Sequence, residues 1–452
     1  MLPKNQKRRE AYQIKMRREM PTYKTFADWI NQEALPFSFE SENFNKAVDT
    51  LMVSMGSVKL LGFGEALHGG EEILRLRNQL FQRLVEAYGF SAIAIESSFP
   101  RAHTTNEYVL GRGPKSYEEI QDTGFGQDFG KLEANRELVE WMKEYNARQT
   151  HKTKLRFYGL DVPTGTVGIA SPRQVLDFVL DYLSSIDKEQ REKQRERIEK
   201  LLGQDADWEN PEAHMDPTKS IGLSPNATTL RIETEDLISE LETRRPELIA
   251  KSDPDRFLEA LQHARVARGL LNFHASMARP SGRYAERLGI RDMLQADNLL
   301  YMISREENRG KVFAFAHNSH LKRGTAEWQL GPDLVTWWPA GSQLSEILGE
   351  GYAVIGTALG VSEENGIGKP EEGTLEATLT ATEGPMRFIP THRGKGLPTA
   401  EIAMLPIRSG SQKNPTYIPL TPQSFTDFDW LAIFDSATYN RGGTPLQEWD
   451  TG

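Results

Sequence analysis

Short apolar runs alternate with amphipathic stretches along much of the chain. Six runs of six to eight residues are rich in aliphatic and aromatic side chains, which favours buried strands. Helical periodicity over 71–88 and 131–148 separates the first three runs. Strands that alternate with helices predict an α/β fold with a mostly parallel central sheet flanked by helices. The predicted strands are 58–63, 90–97, 155–161, 311–317, 352–359 and 430–435.

A long middle stretch has a different pattern. Residues 171–309 hold several long, charged helical patterns and no convincing strand, so we predict a large helical insertion that forms a cleft wall beside the sheet. Residues 361–400, rich in Gly, Glu and Thr, predict a long loop or a small hairpin. The predicted organisation is a partly helical N-terminal extension (1–50), the first part of the α/β catalytic core (51–170), the insertion (171–309) and the second part of the core (310–452).

Ionisable residues end four of the predicted strands. Glu65 and His68 follow the first strand, and Glu96, Asp161 and His317 close three others. In parallel α/β sheets, ligands bind outside the carboxyl ends of the strands. We therefore expect these side chains to meet at one edge of the sheet and to form the functional site.

The helix predicted after the first strand places a cation on its apolar face. Arg77 lies three or four residues from Leu74, Leu80 and other apolar positions, so its side chain points inward. A buried arginine needs anionic partners. Glu65 and Glu96 are the nearest candidates, and we expect an ion pair with one of them.

His68 is the candidate catalytic base. A carboxylate three residues earlier, on Glu65, can orient an imidazole and stabilise its protonated form, which places a general base near neutral pH. The chain lacks the G-x-S-x-G elbow, the P-loop, the H-E-x-x-H helix and the G-x-G-x-x-G fingerprint. Water activated by a histidine is the simplest chemistry that remains.

Composition excludes several classes of protein. The 452 residues include no cysteine, so disulfides, thiolate metal sites and cysteine nucleophiles are ruled out. A net charge of −10 argues against binding to nucleic acid. No run of about 18 apolar residues predicts a membrane span. The polar N-terminus lacks the apolar core of a signal peptide, so we expect a cytoplasmic protein.

Taken together, these motifs resemble the erythromycin esterase family over residues 55–440. The segment Gly64-Glu65-x-x-His68-Gly69 is followed nine residues later by Arg77, and a strand ends in Ile95-Glu96. The matching motifs further along are Tyr158-Gly159-Leu160-Asp161, Arg291-Asp292 and Ala316-His317-Asn318-x-His320. One departure is Gln295, where a methionine is expected.

The resemblance implies ester hydrolysis by activated water without a covalent intermediate, most simply on the lactone of a macrolide antibiotic. It implies His68 as the base, with Glu65, Glu96, Arg77 and His317 completing the catalytic site. It also implies no required metal or other cofactor. The residues expected to contact a small-molecule substrate are His320, Asp161, Arg291 and Asn318.

Three alternatives stay open at this stage. The same chemistry could act on another ester, such as a secondary metabolite or a biosynthetic intermediate. The cluster of Glu65, His68, Glu96, His317 and His320 could instead ligate a divalent metal or haem. The chain could also be a non-catalytic binding protein on an enzyme fold. The sequence does not determine the oligomeric state.

Overall fold

The computed structural model describes residues 22–446 except 40, 127, 164–168, 280–283, 331 and 383. An eight-stranded sheet forms its centre, and a separate two-stranded hairpin joins β6 and β7. In chain order the strands are β1 (Leu35–Phe37), β2 (Leu60–Glu65), β3 (Phe90–Ser98), β4 (Arg156–Asp161), β5 (Lys311–His317), β6 (Ala326–Leu330), β7 (Asp333–Trp337), β8 (Tyr352–Val361), β9 (Met386–Pro390) and β10 (Trp430–Ser436).

The strand order in the large sheet is β1-β9-β10-β8-β2-β5-β3-β4. The six strands from β10 to β4 run parallel to their neighbours, and they are the six apolar runs of the sequence. The other two strands pair antiparallel, β9 with β10 and β1 with β9. The predicted α/β fold with a mostly parallel central sheet is confirmed.

The helices lie between the strands and on both faces of the sheet. No helix in the described part of the chain is long and apolar enough to cross a membrane. The α-helices are α1 (Phe26–Glu33), α2 (Glu42–Met55), α3 (Glu71–Tyr88), α4 (Ala102–Val109), α5 (Glu133–Ala147), α6 (Arg173–Ser184), α7 (Lys188–Leu202), α8 (Asp205–Trp208), α9 (Pro225–Thr243), α10 (Arg245–Lys251), α11 (Pro254–Met277), α12 (Tyr284–Glu306), α13 (Asn318–Leu321), α14 (Ala340–Leu348), α15 (Leu375–Leu379), α16 (Thr399–Ile402) and α17 (Ser424–Asp427).

Alternation along the central strands divides the core between the two faces of the sheet. On β5, Ala314 packs on the face covered by helices α6 to α12, whereas Phe313 packs on the face covered by α3 and α5. On the second face, the rings of Phe63, Phe81 and Phe313 stack with centroids about 6 Å apart. Both faces are buried, which is why the parallel strands read as continuous apolar runs.

The hydrophobic pattern of the sequence does not predict four of the strands. The prediction of a loop or hairpin over 361–400 is wrong for β9, which belongs to the main sheet. This strand contains Arg387, whose fully buried guanidinium donates to the carbonyl of Leu379 and to the carboxylate of Asp435. Arg387 therefore interrupts the apolar pattern of β9. Its charge can be buried there because its hydrogen-bond partners come from other segments of the chain. The remaining three, β1, β6 and β7, are short.

Candidate active site

The carboxyl ends of four adjacent strands form one rim. The sheet order β2-β5-β3-β4 places Glu65, His317, Glu96 and Asp161 side by side, and Glu65 and His317 are register partners. Each of the four side chains is buried. The structure thus brings together the strand-end residues that the sequence separates by up to 252 positions.

The turn between β2 and α3 holds His68 over this rim. Gly69 adopts φ 118°, a conformation that favours glycine, and a Cβ there would lie 2.9 Å from the carboxamide oxygen of Asn365. The backbone N–H of His68 donates to the hydroxyl of Thr416 at 2.9 Å. The turn is therefore fixed from both sides, and it directs the imidazole toward Glu65.

His68 and Glu65 form a short hydrogen-bonded pair. His68 Nδ1 lies 2.5 Å from Glu65 Oε1, and its Nε2 lies 3.9 Å from Glu96 Oε1. Because the carboxylate accepts the Nδ1 proton, the neutral imidazole presents an unprotonated Nε2. The His68 side chain is 29% exposed, so part of the imidazole can be reached from outside the protein.

Nearby charges decide the protonation of this pair. Burial lowers the pKa of His68, but attraction to Glu65 and Glu96 outweighs burial, and the pKa is raised. Burial also raises the pKa of Glu65, despite the attraction of this carboxylate to His68. Burial alone would raise the pKa of Glu96, but His320 and His68 hold it well below the usual range, and Glu96 stays ionised.

Glu96 is the centre of a buried polar network. Its Oε2 accepts the backbone N–H of His317 at 2.7 Å, and its Oε1 accepts from Arg291 Nη2 at 2.8 Å. Arg291 also donates to both carboxylate oxygens of Asp161, from Nε at 2.9 Å and from Nη2 at 2.6 Å. Gln295 donates to the same Asp161 at 2.9 Å, a role that a methionine could not perform.

His320 is held as a cation. Its Nδ1 donates to Asp292 Oδ1 at 2.8 Å, and its Nε2 lies 3.4 Å from Glu96 Oε1. Burial lowers its pKa, but the charges of Asp292 and Glu96 outweigh burial and raise the pKa to about 10. Asp292 also accepts the indole N–H of Trp337 at 2.7 Å, which ties the β6–β7 hairpin to the site.

His317 is held as a neutral ring. Its Nε2 donates to the carbonyl of Thr416 at 2.9 Å, and its Nδ1 accepts the backbone N–H of Ser319 at 3.2 Å. Burial, reinforced by repulsion from His68, lowers its pKa to about 3. Both ring nitrogens are engaged by protein atoms, and the His317 and His68 rings lie 5.4 Å apart. In this structure, His317 therefore caps α13 and holds the Thr416 loop.

The hydroxyl of Ser319 lies against the ring of a histidine of this rim. Its Oγ lies 2.7 Å from His317 Nδ1, as a serine nucleophile and its base would. The low pKa of His317 makes it a weak base, however, and its other nitrogen bonds a carbonyl rather than a carboxylate. The Glu65–His68 pair is the stronger base.

The prediction that Arg77 forms an ion pair with Glu65 or Glu96 is wrong. Arg77 is fully buried, as its helix face predicts, but its guanidinium donates to Asn78 Oδ1 and to the carbonyl oxygen of Ala134. It lies over the Phe315 ring at 4.9 Å. Burial lowers its pKa to about 10, and Glu65 acts on it only through longer-range attraction. A neighbouring amide and a helix carbonyl thus replace the carboxylate.

Asn318 holds the sheet together at the rim. Its carboxamide donates to the carbonyl of Thr357 at 2.8 Å and accepts the N–H of the same residue at 3.1 Å. It also packs against Gly64, where an added Cβ would lie 2.2 Å from its oxygen. These contacts engage the polar atoms that a substrate contact would need.

A small cavity adjoins the His68–Glu65 pair. It encloses about 20 Å³, which is room for about one water molecule. Oxygen or nitrogen atoms of Glu65, His68 and Glu96 lie within 4.8 Å of one another, so these three residues could also hold a divalent cation. The residues around the cavity are Glu65, His68, Gly69, Leu74, Arg77, Ile95, Glu96, Phe129, Leu132, Asn135, Phe315 and Asn440.

Several of these positions could not be found from the sequence. Phe129, Asn135, Thr416 and Asn440 lie outside the strand ends, and they reach the site from loops or helices distant along the chain. Asp292 adjoins Arg291 in a motif that the sequence does single out, and that adjacency is the only signal for its role.

Comparison with known proteins identifies the family of this chain. The model of the erythromycin esterase family matches residues 85–436. Erythromycin esterase type II of Escherichia coli is 24% identical over 339 residues, which cover 73% of this chain and 76% of that protein. Among solved structures, a Bacillus cereus protein superposes with a TM-score of 0.70 at 19% identity, covering 92% of this chain and 98% of that chain.

A second solved structure is the erythromycin esterase EreC, captured as a mutant in its open conformation. It superposes with a TM-score of 0.64 at 18% identity, covering 91% of this chain and 97% of that chain. The family match spans 352 of the 452 residues and includes Glu96, Asp161, Arg291, His317 and His320. The protein therefore belongs to the erythromycin esterase family and is an ester-cleaving hydrolase.

Proposed function

We propose that His68 activates water for direct attack on an ester, without a covalent intermediate, and that the substrate is a macrolide lactone. The observation that supports this most is the orientation of His68. Its Nδ1 is bonded to Glu65 at 2.5 Å, which leaves Nε2 free to accept a proton, and His68 lines a cavity with room for about one water molecule.

The reaction follows from these positions. The water oxygen bonds to the ester carbonyl carbon as its proton passes to His68 Nε2, and the carbonyl electron pair moves to oxygen. Glu65 stabilises the imidazolium that forms. The tetrahedral intermediate then expels the alcohol oxygen, which takes the proton from His68 Nε2. The products are a carboxylic acid and an alcohol, and His68 is regenerated.

Two cations are candidates to stabilise the oxyanion. His320 is protonated, and its Nε2 lies 3.4 Å from Glu96 Oε1, a distance longer than that of an ordinary hydrogen bond, so this nitrogen keeps donor capacity. Arg77 lines the cavity itself. His317 is the poorer candidate, because its single N–H already donates to Thr416. One such donor contributes roughly 10²–10³-fold in rate.

The substrate class rests on the relatives. The Escherichia coli relative is named an erythromycin esterase, and the present cavity is far smaller than a macrocycle. The carbonyl must therefore approach His68 from its exposed side while the rest of the macrocycle stays outside this cavity. The alternative is the same reaction on another ester, such as a secondary metabolite or a biosynthetic intermediate.

Mass spectrometry of the purified protein with a panel of macrolides and simpler esters tests both the reaction and the substrate. We expect a gain of one water on at least one macrolide, and a loss of roughly 10²–10⁴-fold in His68→Asn. Ser319→Ala is the matched control and should keep its activity. Hydrolysis confined to simpler esters would support the alternative substrate, whereas an acyl-enzyme on Ser319 would refute the direct attack of water.

A further inference from the structure

Two carboxamide side chains that have no role in the reaction described above line the small cavity beside His68. Its wall is otherwise mainly apolar, formed by side chains that include Leu74, Ile95 and Phe315. Asn135 from α5 and Asn440 from the segment after β10 also line it. Polar side chains in a mainly apolar wall are expected to hydrogen-bond to something inside it.

Asn135 has a carboxamide oxygen without a hydrogen-bond partner among the described residues. The residue is 2% exposed, and its Nδ2 donates to the carbonyl of Phe129 at 2.8 Å, which settles the orientation of the amide. Its Oδ1 is buried and accepts no hydrogen bond from the described residues. A buried acceptor of this kind is normally satisfied by an ordered water.

Asn440 presents a second such oxygen. Its Oδ1 is also buried and has no hydrogen-bond partner among the described residues. The neighbouring Arg441 fixes this segment, because its carbonyl accepts the N–H of Glu133 at 3.1 Å and its Nε donates to Glu71 at 2.7 Å. The segment is thereby fastened to the first turns of α3 and α5. It follows the last residue of the family match, 436.

We propose that Asn135 and Asn440 bind and orient the water that His68 activates. A water in this cavity would donate one proton to His68 Nε2 and share the other between the two carboxamide oxygens in a three-centre hydrogen bond, so that a lone pair faces the ester carbonyl. The cavity volume of about 20 Å³ fits one water with two to four polar partners. This inference rests on the proposed function, because the water is the nucleophile of that reaction.

Kinetics of single variants test the role in catalysis. Asn135→Leu and Asn440→Ala should each lower kcat by roughly 10-fold to 100-fold, with KM changed by less than about threefold, because the nucleophile and not the substrate is misplaced. The loss should be similar for a macrolide and for a small activated ester. Because Asn440 Oδ1 accepts no hydrogen bond from the part of the chain that the structure describes, Asn440→Ala should fold normally.

Asn146 is the matched structural control. It lies on the same helix and is buried, but its amide is fully engaged with the backbone of Val109 and Leu155. Asn146→Leu should lower the Tm and leave kcat unchanged. If both Asn135→Leu and Asn440→Ala retain kcat within about twofold, or if they raise KM for the macrolide only, the proposal is overturned.

A high-resolution crystal structure separates this proposal from the proposed function. We expect an ordered water within about 3.2 Å of both Asn135 Oδ1 and His68 Nε2, and its loss in Asn135→Leu. A dry cavity would overturn the proposal even if the enzyme hydrolyses esters. An ordered water in a protein that hydrolyses no ester would refute the proposed function while keeping the water site.

Discussion

At the scale of single residues, three histidines of one rim have three different protonation behaviours. The pKa of His68 is raised by Glu65 and Glu96 against burial, that of His320 is raised to about 10 by Asp292 and Glu96, and that of His317 is lowered to about 3 by burial. The number and distance of carboxylates around each ring decide these differences. Divergent pKa values in one site allow a base and a cation to work side by side.

The rate of hydrolysis should depend on pH through His68. Its Nε2 must be unprotonated to accept a proton, so a raised pKa moves the acidic limb of kcat/KM above pH 6.5, the ordinary histidine value. Glu65→Gln removes the main attraction for the imidazolium, so the limb should shift to lower pH as the rate falls. A pH-rate profile of both proteins measures this.

The matched control for this shift is Glu259→Gln, which removes a carboxylate from another histidine, His103, at 2.7 Å. It should leave the limb where it is. An acidic limb that does not move in Glu65→Gln would show that Glu65 does not set the pKa of the base.

The stability of the protein should depend on pH through His320. Its folded pKa of about 10 lies above the unfolded value of about 6.5, so its contribution is full below pH 6.5 and is lost as pH rises toward 10. His320→Gln should therefore destabilise the protein more at pH 7 than at pH 9. The two differences in the free energy of unfolding, from urea denaturation, should differ by roughly 2 kcal/mol.

His274→Gln serves as the control for this measurement. His274 is buried with a pKa lowered to about 4, so it stays neutral from pH 7 to 9 and its effect should not change with pH. Equal destabilisation by His320→Gln at both pH values would mean that His320 is neutral in the folded protein.

At the scale of elements, one irregular loop joins the two histidine-bearing strand ends. Thr416 accepts the backbone N–H of His68 through its hydroxyl and the Nε2–H of His317 through its carbonyl. Asn414 in the same loop donates to the carbonyl of His68 at 2.8 Å. The loop therefore positions the general base without touching the reacting atoms, and it lies 348 residues from His68.

Thr416→Val should lower kcat/KM by roughly 10-fold to 100-fold, because His68 loses a positioning bond while the shape of the side chain is kept. The free energy of unfolding should fall by about 1 kcal/mol for the lost hydrogen bonds. Thr416→Ser keeps the hydroxyl and should behave like the original protein in kinetics and thermal melting. Wild-type kinetics in Thr416→Val would remove this loop from the account of the site.

At the scale of the whole molecule, strand order decides which residues meet. The sheet places β5 between β2 and β3, although 212 residues lie between the end of β3 and the start of β5 along the chain. Helix α12 then crosses this rim, so that Arg291 and Gln295 reach Asp161 and Glu96. The site is therefore shared between the sheet and the long helical stretch, and neither part would form it alone.

Removal of metal ions tests the chemistry of the assembled site. Glu65, His68 and Glu96 could hold a divalent cation, but the proposed base is the imidazole itself, with its Nδ1 bonded to Glu65. Activity should therefore stay within about twofold after extensive dialysis against a chelator. Loss of activity that returns with zinc or manganese would instead assign the attacking hydroxide to a bound metal.

The sequence by itself determined the six parallel strands, the helices between them and the residues at the strand ends. It did so because burial on both faces leaves an apolar run, and because parallel strands place their carboxyl ends at one edge. The pairing of Glu65 with His68 was also predictable, since the two residues lie only three positions apart in the chain.

Only the tertiary structure decided the rest. It gave Arg77 an amide partner, engaged both nitrogens of His317, and brought Asn135, Thr416 and Asn440 to His68. It also made β9 a strand of the main sheet, which the sequence did not predict because the buried Arg387 breaks the apolar pattern. These features depend on hydrogen bonds between segments far apart in the chain, and no local pattern of hydrophobic and polar positions records which distant atoms will become neighbours.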